Sequence, residues 1–405
     1  MDTRGRGSLD WRGLRRASPR LPHPVPIVGA NPVREGVGAR LDLAYDLRYA
    51  TDHFPGIGTH AHSLAAALLE RENLGSVTLL WDPRARNTRF DLELLRSHPR
   101  ARWIDVDIPA MAPETARATG RLLSGLDVDM FLSPFWLKPE GTRVPSVLTL
   151  HDVIPLALPR LTSWTRRVAY RWALRRAATA TAVLTSSRFS RDEILRLTAI
   201  PDARLHVLPL GVSRPLVPPV RPPGAPDGPF ALTVGTHRPH KGLDTLAAVW
   251  RGFAGRAPLT WVVAGADSPG PGSFAELTRD VPDVRSLGQV PPDALEWLYH
   301  NATLVLMPSR YEGFGLPMLE AAMRGAAIVA SDLPPLREIG EGVARFVPPG
   351  DGVEWARAIR ELASDEATRR DMGAAGPVRA AEYDYARYAS HVEQLLLDAL
   401  AGVPA

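Results

Sequence analysis

Two glutamates, Glu312 and Glu320, stand on either side of a glycine turn in the stretch PSRYEGFGLPMLE. A carboxylate accepts hydrogen bonds from hydroxyl groups, so two of them around one turn suit a ligand with several hydroxyls. The turn leads into a predicted helix at Leu316–Arg324, and the first amides of a helix attract anions such as phosphate. The segment therefore predicts a site for a ligand that is both anionic and rich in hydroxyl groups.

The local pattern predicts the elements on either side of this turn. Ala302–Met307 is a short apolar run that is typical of a buried strand. Pro317 suits the start of a helix, because its missing N–H would have no partner there. Glu320 is thus predicted in the first turn of the helix and Glu312 before it. Taken separately, Glu320 could simply complement the helix dipole and Glu312 could be a solvated loop residue.

Lys241 is the second candidate for chemistry, and it is one of two lysines among 48 basic residues. It lies in the stretch VGTHRPHKG, directly after a predicted strand at Ala231–Gly235. A compact ammonium suits a phosphate clamp, and the alternative is a solvated surface charge. We predict that Lys241 binds phosphate.

The first half of the chain adds a histidine and a glycine turn. His151 lies at the end of a predicted strand in LHDVIPL, and Gly56 and Gly58 form a predicted turn before a helix at Thr59–Glu70. A lone histidine is more often structural. His151, however, stands at the carboxyl end of a strand, where ligands bind in parallel sheets.

Strand and helix patterns alternate along the chain, which predicts parallel sheets with right-handed crossovers. We expect an α/β protein in which two doubly wound Rossmann-like domains face each other across a cleft. The predicted units are a first domain at 41–212, a proline-rich linker at 213–229, a second domain at 230–375, and C-terminal helices at 376–401 that pack back toward the first domain. The predicted strands are Leu41–Leu47, Val77–Trp81, Trp103–Val106, Met130–Ser133, Ser146–His151, Ala182–Thr185, Leu205–Pro209, Ala231–Gly235, Leu259–Ala264, Val284–Gly288, Ala302–Met307, Ala327–Ala330 and Ala344–Val347.

Composition excludes several classes of protein. The chain has no cysteine, so it has neither disulfides nor thiolate metal sites. No apolar run approaches the roughly 20 residues of a membrane span, and the N-terminus lacks the apolar segment of a secretion signal. Residues 1–40 carry eight arginines and three acidic residues, and their net charge of +5 (8 − 3) exceeds the net charge of +4 of the whole chain. We therefore expect a disordered basic tail, no nucleic-acid partner for the body, and a cytoplasmic protein.

Together these motifs resemble those of the retaining glycosyltransferases of family 4, which have the GT-B fold. PSRYEGFGLPMLEAAMRGAAIVASDLPPLREI resembles the family's E-x7-E segment, its most specific signature. The groups GIGTHAHSLAAAL, LHDVIPL, SSRFSRDEI and VGTHRPHKG fall in the family's order, and the likeness runs from about residue 41 to 400. It is nearest to bacterial enzymes that move mannose or a similar hexose from a nucleotide donor. The acceptor would be a hydroxyl on a glycan, a lipid-linked molecule or a small molecule.

The resemblance implies a role for each candidate residue. Glu320 would accept hydrogen bonds from the ribose hydroxyls of the donor, and Glu312 would order the hydroxyls of the transferred sugar. Lys241 would neutralise the diphosphate, and His151 would approach the sugar from the opposite domain. Gly56 and Gly58 resemble the first-domain loop near donor and acceptor. The backbone amides that would meet the sugar or the diphosphate are those of Gly313, Phe314, Gly315 and Leu316.

One departure from the family pattern concerns charge at the diphosphate. Many relatives have Arg-Lys where this chain has His240-Lys241. Either Arg238 supplies the missing charge or the diphosphate is held less tightly.

The resemblance also implies a mechanism without a general base, in which the departing phosphate oxygen takes the acceptor's proton on the same face. No cofactor and no catalytic metal are then expected. The Asp127-Val-Asp129 triplet resembles a metal motif of another glycosyltransferase fold, but it precedes a strand and so lies at the wrong edge of the sheet.

Two other functions remain open on the sequence alone. One is a different enzyme on the same fold, such as a sugar-nucleotide epimerase or a phosphorylase, the latter with a lysine-bound pyridoxal phosphate. The other is a non-catalytic protein that binds a sugar nucleotide.

The predicted helix from Trp164 to Arg176 also has two interpretations. One stripe holds Trp164, Val168 and Trp172, and the next holds Arg167, Arg171 and Arg175. Such a helix can lie on an anionic membrane, as a peripheral contact. The pattern by itself favours the alternative, in which the helix packs on the core and leaves its arginine face solvated.

Overall fold

The computed structural model describes residues 40–112, 114–213, 217–267 and 273–402 of the 405-residue chain. The predicted basic tail at 1–40 lies outside the described residues, apart from Arg40.

The first sheet has seven parallel strands in the order β3-β2-β1-β4-β5-β6-β7. Most of these strands are apolar runs buried on both faces, as expected of parallel strands that are covered by helices. They are β1 Leu41–Asp46, β2 Leu74–Trp81, β3 Ala101–Asp105, β4 Met130–Ser133, β5 Ser146–Thr149, β6 Ala182–Thr185 and β7 Leu205–Val207.

The second sheet has six parallel strands in the order β10-β9-β8-β11-β12-β13, which repeats the arrangement of the first. Its strands are β8 Phe230–Val234, β9 Thr260–Ala264, β10 Val284–Gly288, β11 Leu304–Met307, β12 Ile328–Ser331 and β13 Ala344–Val347. The chain therefore contains two doubly wound α/β units, and the predicted fold class is confirmed.

Helices connect the strands on both faces of each sheet. Those of the first unit are α1 Pro55–Leu69, α2 Leu92–Arg96, α3 Thr115–Ser124, α4 Ile154–Ala157, α5 Trp164–Ala177 and α6 Arg188–Leu197. Those that follow are α7 Leu243–Phe253, α8 Phe274–Leu277, α9 Pro292–Asn301, α10 Leu316–Met323, α11 Pro334–Gly340, α12 Gly352–Ser364, α13 Glu366–Ala380 and α14 Tyr385–Leu400. None of the helices among the described residues is long and apolar enough to cross a membrane.

The strand order of each sheet reverses at one point, between β1 and β4 in the first sheet and between β8 and β11 in the second. Ligands of doubly wound sheets bind outside the carboxyl ends of the strands at such a point, where the crossover helices diverge. The loops that follow β8 and β11 carry the two most informative motifs of the sequence.

The C-terminal helices divide between the two units. Helix α13 packs against α10 of the second unit, whereas α14 packs against α1 of the first. Glu393 of α14 forms an ion pair with Arg71 at 2.8 Å. The boundary predicted between residues 375 and 376 falls inside α13, and the division into domains stays a prediction.

Two predictions of local structure are wrong. Helix α1 begins at Pro55 rather than at Thr59, so Gly56 and Gly58 lie in its first turn and not in a turn before it. Proline at the first helical position presets the backbone, and the Gly58 N–H already donates to the Phe54 carbonyl at 2.5 Å.

Glu320 is the fifth residue of α10, since the helix begins at Leu316, and it therefore lies in the second turn and not in the first. It is too far from the helix N-terminus to serve as the acid that complements the dipole.

The orientation of α5 also differs from the favoured prediction. Trp164, Val168 and Trp172 are exposed, with 69%, 57% and 53% of their surface accessible. The helix instead packs by Leu174 and Ala177, which are buried. The expectation that the tryptophan stripe faces the core is therefore wrong.

Candidate functional site

An ion pair joins the two loops at the point where the strand order of the second sheet reverses. The Lys241 ammonium donates to Glu312 Oε1 at 2.6 Å, and the Ser309 hydroxyl donates to the same oxygen at 2.7 Å. Lys241 follows β8, and Ser309 and Glu312 follow β11. Because β8 and β11 are neighbouring strands, residues separated by 71 positions meet at one edge of the sheet.

The environment of Glu312 keeps it ionised. Only 7% of its surface is exposed, and this burial by itself would raise its pKa. The Lys241 charge and the hydrogen bonds from Lys241 and Ser309 outweigh the burial and lower the pKa of Glu312 below its usual value. Both hydrogen bonds go to Oε1, and no hydrogen bond within the described residues uses Oε2. That oxygen can accept a hydrogen bond from a ligand hydroxyl.

His240 adds no positive charge beside Lys241. Burial, together with the neighbouring Lys241 and Arg238 charges, lowers the pKa of His240 to about 4, so the imidazole is neutral near pH 7. Arg238 is exposed at the same loop. The cationic groups of this loop at neutral pH are therefore Lys241 and Arg238.

The glycine turn after Glu312 meets the loop that follows β5 in the first unit. A Cβ added to Gly313 would lie 2.7 Å from the His151 carbonyl oxygen, so only glycine allows this approach. The Gly313 carbonyl accepts from the Ser187 hydroxyl at 2.6 Å and from the Ser190 hydroxyl at 2.9 Å. The Ser190 hydroxyl also lies 3.1 Å from the His151 carbonyl. The start of α6 thus ties together loops from the two sheets.

His151 is neutral in this position. Its Nε2 lies 3.0 Å from the Pro134 carbonyl, which assigns the ring proton to Nε2 and leaves Nδ1 as an acceptor. Burial lowers the pKa of His151 to about 4, although the bond to Pro134 acts in the opposite direction. The side chain can accept a hydrogen bond from a ligand, but it carries no charge at neutral pH.

Glu320 lies in the second turn of α10 and has a different partner from Glu312. Its Oε2 accepts from the Tyr299 hydroxyl at 2.7 Å, and Tyr299 is itself fully buried in α9. This hydrogen bond orients the Glu320 carboxylate. Within the described residues no hydrogen bond or ion pair joins Glu320 to Lys241, so the two glutamates of the motif have separate partners.

The other residues predicted from the turn differ in what they can offer. Gly315 precedes α10 with φ at +109°, and Leu316 is the first residue of that helix. The positive φ turns the chain into the helix and explains why a glycine stands there. The Phe314 side chain is buried and packs edge-on against Tyr383, so only its backbone amide can meet a ligand.

Gly56 and Gly58, the two glycines predicted to lie near the donor, have different surroundings. Gly56 is exposed with open space around it, whereas Gly58 is buried beneath the Phe90 ring. An added Cβ at Gly58 would lie 3.0 Å from that ring and from the Tyr49 carbonyl. A role for either glycine in binding a donor stays a prediction.

Several residues that position the site had no role in the sequence analysis. The Glu338 carboxylate of α11 accepts from the backbone amides of Arg188 and Phe189 at 3.0 and 3.1 Å, and so caps α6 across the two units. Ser187 and Ser190 hold the Gly313 carbonyl. The serine before α6 is a recognisable helix cap, but nothing in its pattern predicts the contact with Gly313.

Arg89 is a second group that sequence reasoning missed. Burial lowers the pKa of Arg89, although the charges of Glu320 and Asp52 act in the opposite direction. This arginine of the first unit therefore interacts electrostatically with Glu320 of the second unit. Its Nη1 is buried, and no acceptor within the described residues reaches it.

A cavity of about 520 Å³ lies at the carboxyl ends of β1 and β2. This volume is within the range of small-molecule sites. Its polar lining contains both acidic and basic side chains, namely Arg48, Asp52, His53, Asp82 and Arg86.

Both halves of the chain match family models of glycosyltransferases. Residues 55–214 match a family model described as Glycosyltransferase Family 4, and residues 228–365 match one described as Glycosyl transferases group 1. Together the two matches span more than half of the chain.

Curated relatives are similar over part of their length. The O-antigen chain mannosyltransferase B of Escherichia coli is 27% identical over 257 residues, which cover 59% of this chain and 67% of that protein. The D-inositol 3-phosphate glycosyltransferase of Corynebacterium diphtheriae is 34% identical over 131 residues, which cover 31% of each.

Solved structures share the architecture. The sucrose-phosphate synthase of Thermosynechococcus elongatus superposes with a TM-score of 0.69 at 20% identity, over 89% of this chain and 100% of that one. At this identity the likeness establishes the fold alone.

Proposed function

Because the chain belongs to the family 4 glycosyltransferases and has the GT-B fold, we propose that it transfers a hexose from a nucleotide-diphosphate sugar to a hydroxyl acceptor with retention of configuration. The sugar would be mannose-like or glucose-like, in keeping with relatives named as mannosyltransferases. The observation that carries the proposal is the partly buried Lys241–Glu312 pair at the carboxyl edge of β8 and β11. It offers one cation for a phosphate and one carboxylate for sugar hydroxyls within a single hydrogen-bond length.

The donor would lie along the carboxyl edge of the second sheet. Glu320, held by Tyr299, would accept the ribose hydroxyls, and the diphosphate would face Lys241 and Arg238. The amides at the start of α10 would add the partial positive charge of a helix N-terminus. Glu312 would then accept a sugar hydroxyl through Oε2, which no hydrogen bond of the described residues uses.

The Lys241–Glu312 pair would serve both halves of the donor. Glu312 holds the ammonium in place before the donor binds, so little reorganisation is needed when the diphosphate arrives. As the bond between the sugar and the phosphate breaks, negative charge grows on the leaving oxygen. A fixed ammonium stabilises that charge more than it stabilises the bound donor, and it therefore raises the rate.

The proposed reaction uses no general base from the protein. The bond from the anomeric carbon to the diphosphate breaks and a bond from the same carbon to the acceptor oxygen forms on the same face. The acceptor's proton passes to the departing phosphate oxygen. His151 is neutral and its Nδ1 is an acceptor, which suits a hydrogen bond from a sugar hydroxyl.

We propose no cofactor and no catalytic metal for this reaction. Lys241, Arg238 and the N-terminus of α10 would together supply the positive charge that a divalent ion would otherwise supply to the diphosphate.

The acceptor would enter from the first unit. The cavity of about 520 Å³ at the ends of β1 and β2 has the size for a monosaccharide or polyol, and its charged lining offers donors and acceptors for several hydroxyls. Its place at the carboxyl edge of the first sheet puts it on the side of the molecule that carries His151.

A donor panel tests the proposal. The full chain is mixed with nucleotide sugars that differ in base and sugar, and release of nucleoside diphosphate is followed with and without simple hydroxyl acceptors. The expected result is release from one donor class and a glycoside whose anomeric proton coupling matches that of the donor. An isomerised nucleotide sugar without diphosphate release would indicate an epimerase, and a thermal shift without any reaction would indicate a binding protein.

A further inference from the structure

One helix of the first unit exposes an unusual amount of apolar surface. Four of the large apolar side chains exposed among the described residues lie in or just before α5. We call this region the α5 surface, and it consists of Leu161, Trp164, Val168 and Trp172 with the surrounding Arg160, Arg166, Arg171, Arg175 and Arg176.

The packing of α5 fixes which face is exposed. Its inner face carries Tyr170, Leu174 and Ala177, and the Tyr170 hydroxyl donates to the Asp152 carbonyl at 3.1 Å. At about 100° per residue, Trp164, Val168 and Trp172 fall on the side that points away from these contacts. The fold therefore leaves the tryptophans exposed on the outer side of α5.

The charge around the stripe has one sign. From Pro159 to Ala177 the sequence contains six arginines and no acidic residue. In the part of the chain that the structure describes, only Arg176 of these six forms an ion pair, with Glu140 at 2.7 Å. The surface therefore presents an apolar ridge with arginines on both sides.

We propose that the α5 surface docks on an anionic phospholipid bilayer, with the apolar ridge in the headgroup region and the arginines on lipid phosphates. A helix with large apolar residues on one stripe and basic residues around it is suited to lie in the plane of such an interface. Tryptophan prefers this depth, because its ring has an apolar body and a polar N–H.

Charge argues against the other candidates for this surface. A second copy that docked through a two-fold axis would bring the arginine-rich patch against itself. The first 40 residues carry eight arginines against three acidic residues, so they have the same sign as the surface. An anionic lipid surface is complementary both to the ridge and to the charge.

Docking here would bring the bilayer close to the reaction centre. Tyr170 on the inner face of α5 contacts the backbone of Asp152, the residue after His151, so about one helix diameter separates the ridge from that loop. The consequence that the acceptor is lipid-linked rests on the proposed function, whereas membrane docking itself does not.

Vesicle sedimentation tests the docking without any donor or acceptor. The full chain is mixed with phosphatidylcholine vesicles that either contain or lack phosphatidylglycerol. We expect binding to the anionic vesicles that weakens at high salt, because screening shortens the range of surface charges. Trp164→Ser with Trp172→Ser should lower vesicle affinity about tenfold or more, as expected when two interfacial aromatics are lost.

A second variant and a matched control complete the design. Arg171→Gln with Arg175→Gln should weaken binding and reduce its salt dependence. Val353→Ser with Val378→Ser removes exposed apolar groups from the second unit and should leave binding unchanged. Each variant keeps the arginine-rich N-terminus, so binding through that segment alone would persist in all of them. Undiminished vesicle binding in both α5 variants would overturn the proposal, and so would a wild-type dimer that the tryptophan variant converts to a monomer without any vesicle binding.

Discussion

Replacing Lys241 separates the catalytic role of the ion pair from its structural role. Lys241→Ala removes the cation that lies 2.6 Å from Glu312 Oε1 and leaves a carboxylate that is 7% exposed. Breaking a buried pair by deleting one partner costs on the order of 3 kcal/mol, because the remaining charge is uncompensated. Because Lys241 is partly exposed, we expect a cost no larger than this value.

The effect on turnover should exceed the effect on donor binding. The loss of one preorganised group that stabilises transition-state charge lowers turnover by on the order of 100-fold. Donor affinity should fall less, because the charge on the leaving oxygen is smaller in the bound donor than in the transition state. Lys241→Arg should recover part of the loss, since it restores the charge but places a planar group where an ammonium stood.

The pH dependence of stability follows from the lowered pKa of Glu312. In the wild type this pair contributes stability above the usual glutamate pKa of 4.5, and the contribution is lost as the pH falls through the lower folded value. In Lys241→Ala the Ser309 hydrogen bond remains but the Lys241 charge is lost, so burial raises the pKa of Glu312 above its wild-type value. The difference in melting temperature between the two proteins should therefore be largest near neutral pH and should shrink below about pH 4.5.

A double variant and a lysine control make the assay decisive. Lys241→Met with Glu312→Gln removes both charges, so it should recover most of the stability but none of the turnover. Lys138→Ala removes the other lysine, which donates to the Thr179 hydroxyl at 2.7 Å in the first unit, and it should leave turnover unchanged. Near-normal turnover in a folded Lys241→Ala protein would refute the assignment and would make Arg238 the next candidate.

Three further predictions concern the remainder of the site. Glu320→Gln should weaken donor binding by roughly 1–3 kcal/mol in a titration calorimeter, because a neutral amide replaces a charged acceptor of ribose hydroxyls; unchanged affinity would contradict the ribose role. Gly313→Ala should lower turnover at least about tenfold, because the added Cβ would lie 2.7 Å from the His151 carbonyl oxygen and would displace reacting groups. The control is Gly252→Ala in α7, whose added Cβ meets no atom within 4 Å and which should keep full activity. A chelator should leave wild-type turnover unchanged, and a loss that added magnesium or manganese restores would show that a metal takes part.

The sequence by itself determined the elements and their order. The apolar runs before the Glu312 turn and before His151 predicted strands that the structure contains, at Leu304–Met307 and Ser146–Thr149. The alternation of such runs with helical patterns predicted two parallel sheets, because parallel strands need crossover connections. The family resemblance is confirmed by matches in both halves of the chain. These features can be read locally, since the apolar period and the positions of glycine and proline depend on near neighbours in the chain.

Contacts across the chain were decided only by the tertiary structure. The sequence presented Glu312 without a lysine nearby, yet Lys241 pairs with it, because β8 and β11 are adjacent although 71 residues separate the two side chains. The sequence did not predict that Ser187 would hold the Gly313 carbonyl of the other unit.

The outward face of α5 was settled in the same way. The helical period gives the stripe of Trp164, Val168 and Trp172, but it does not say whether a neighbouring element covers that stripe. Burial is a property of a residue's surroundings in three dimensions, and those surroundings come from segments that are distant in the sequence.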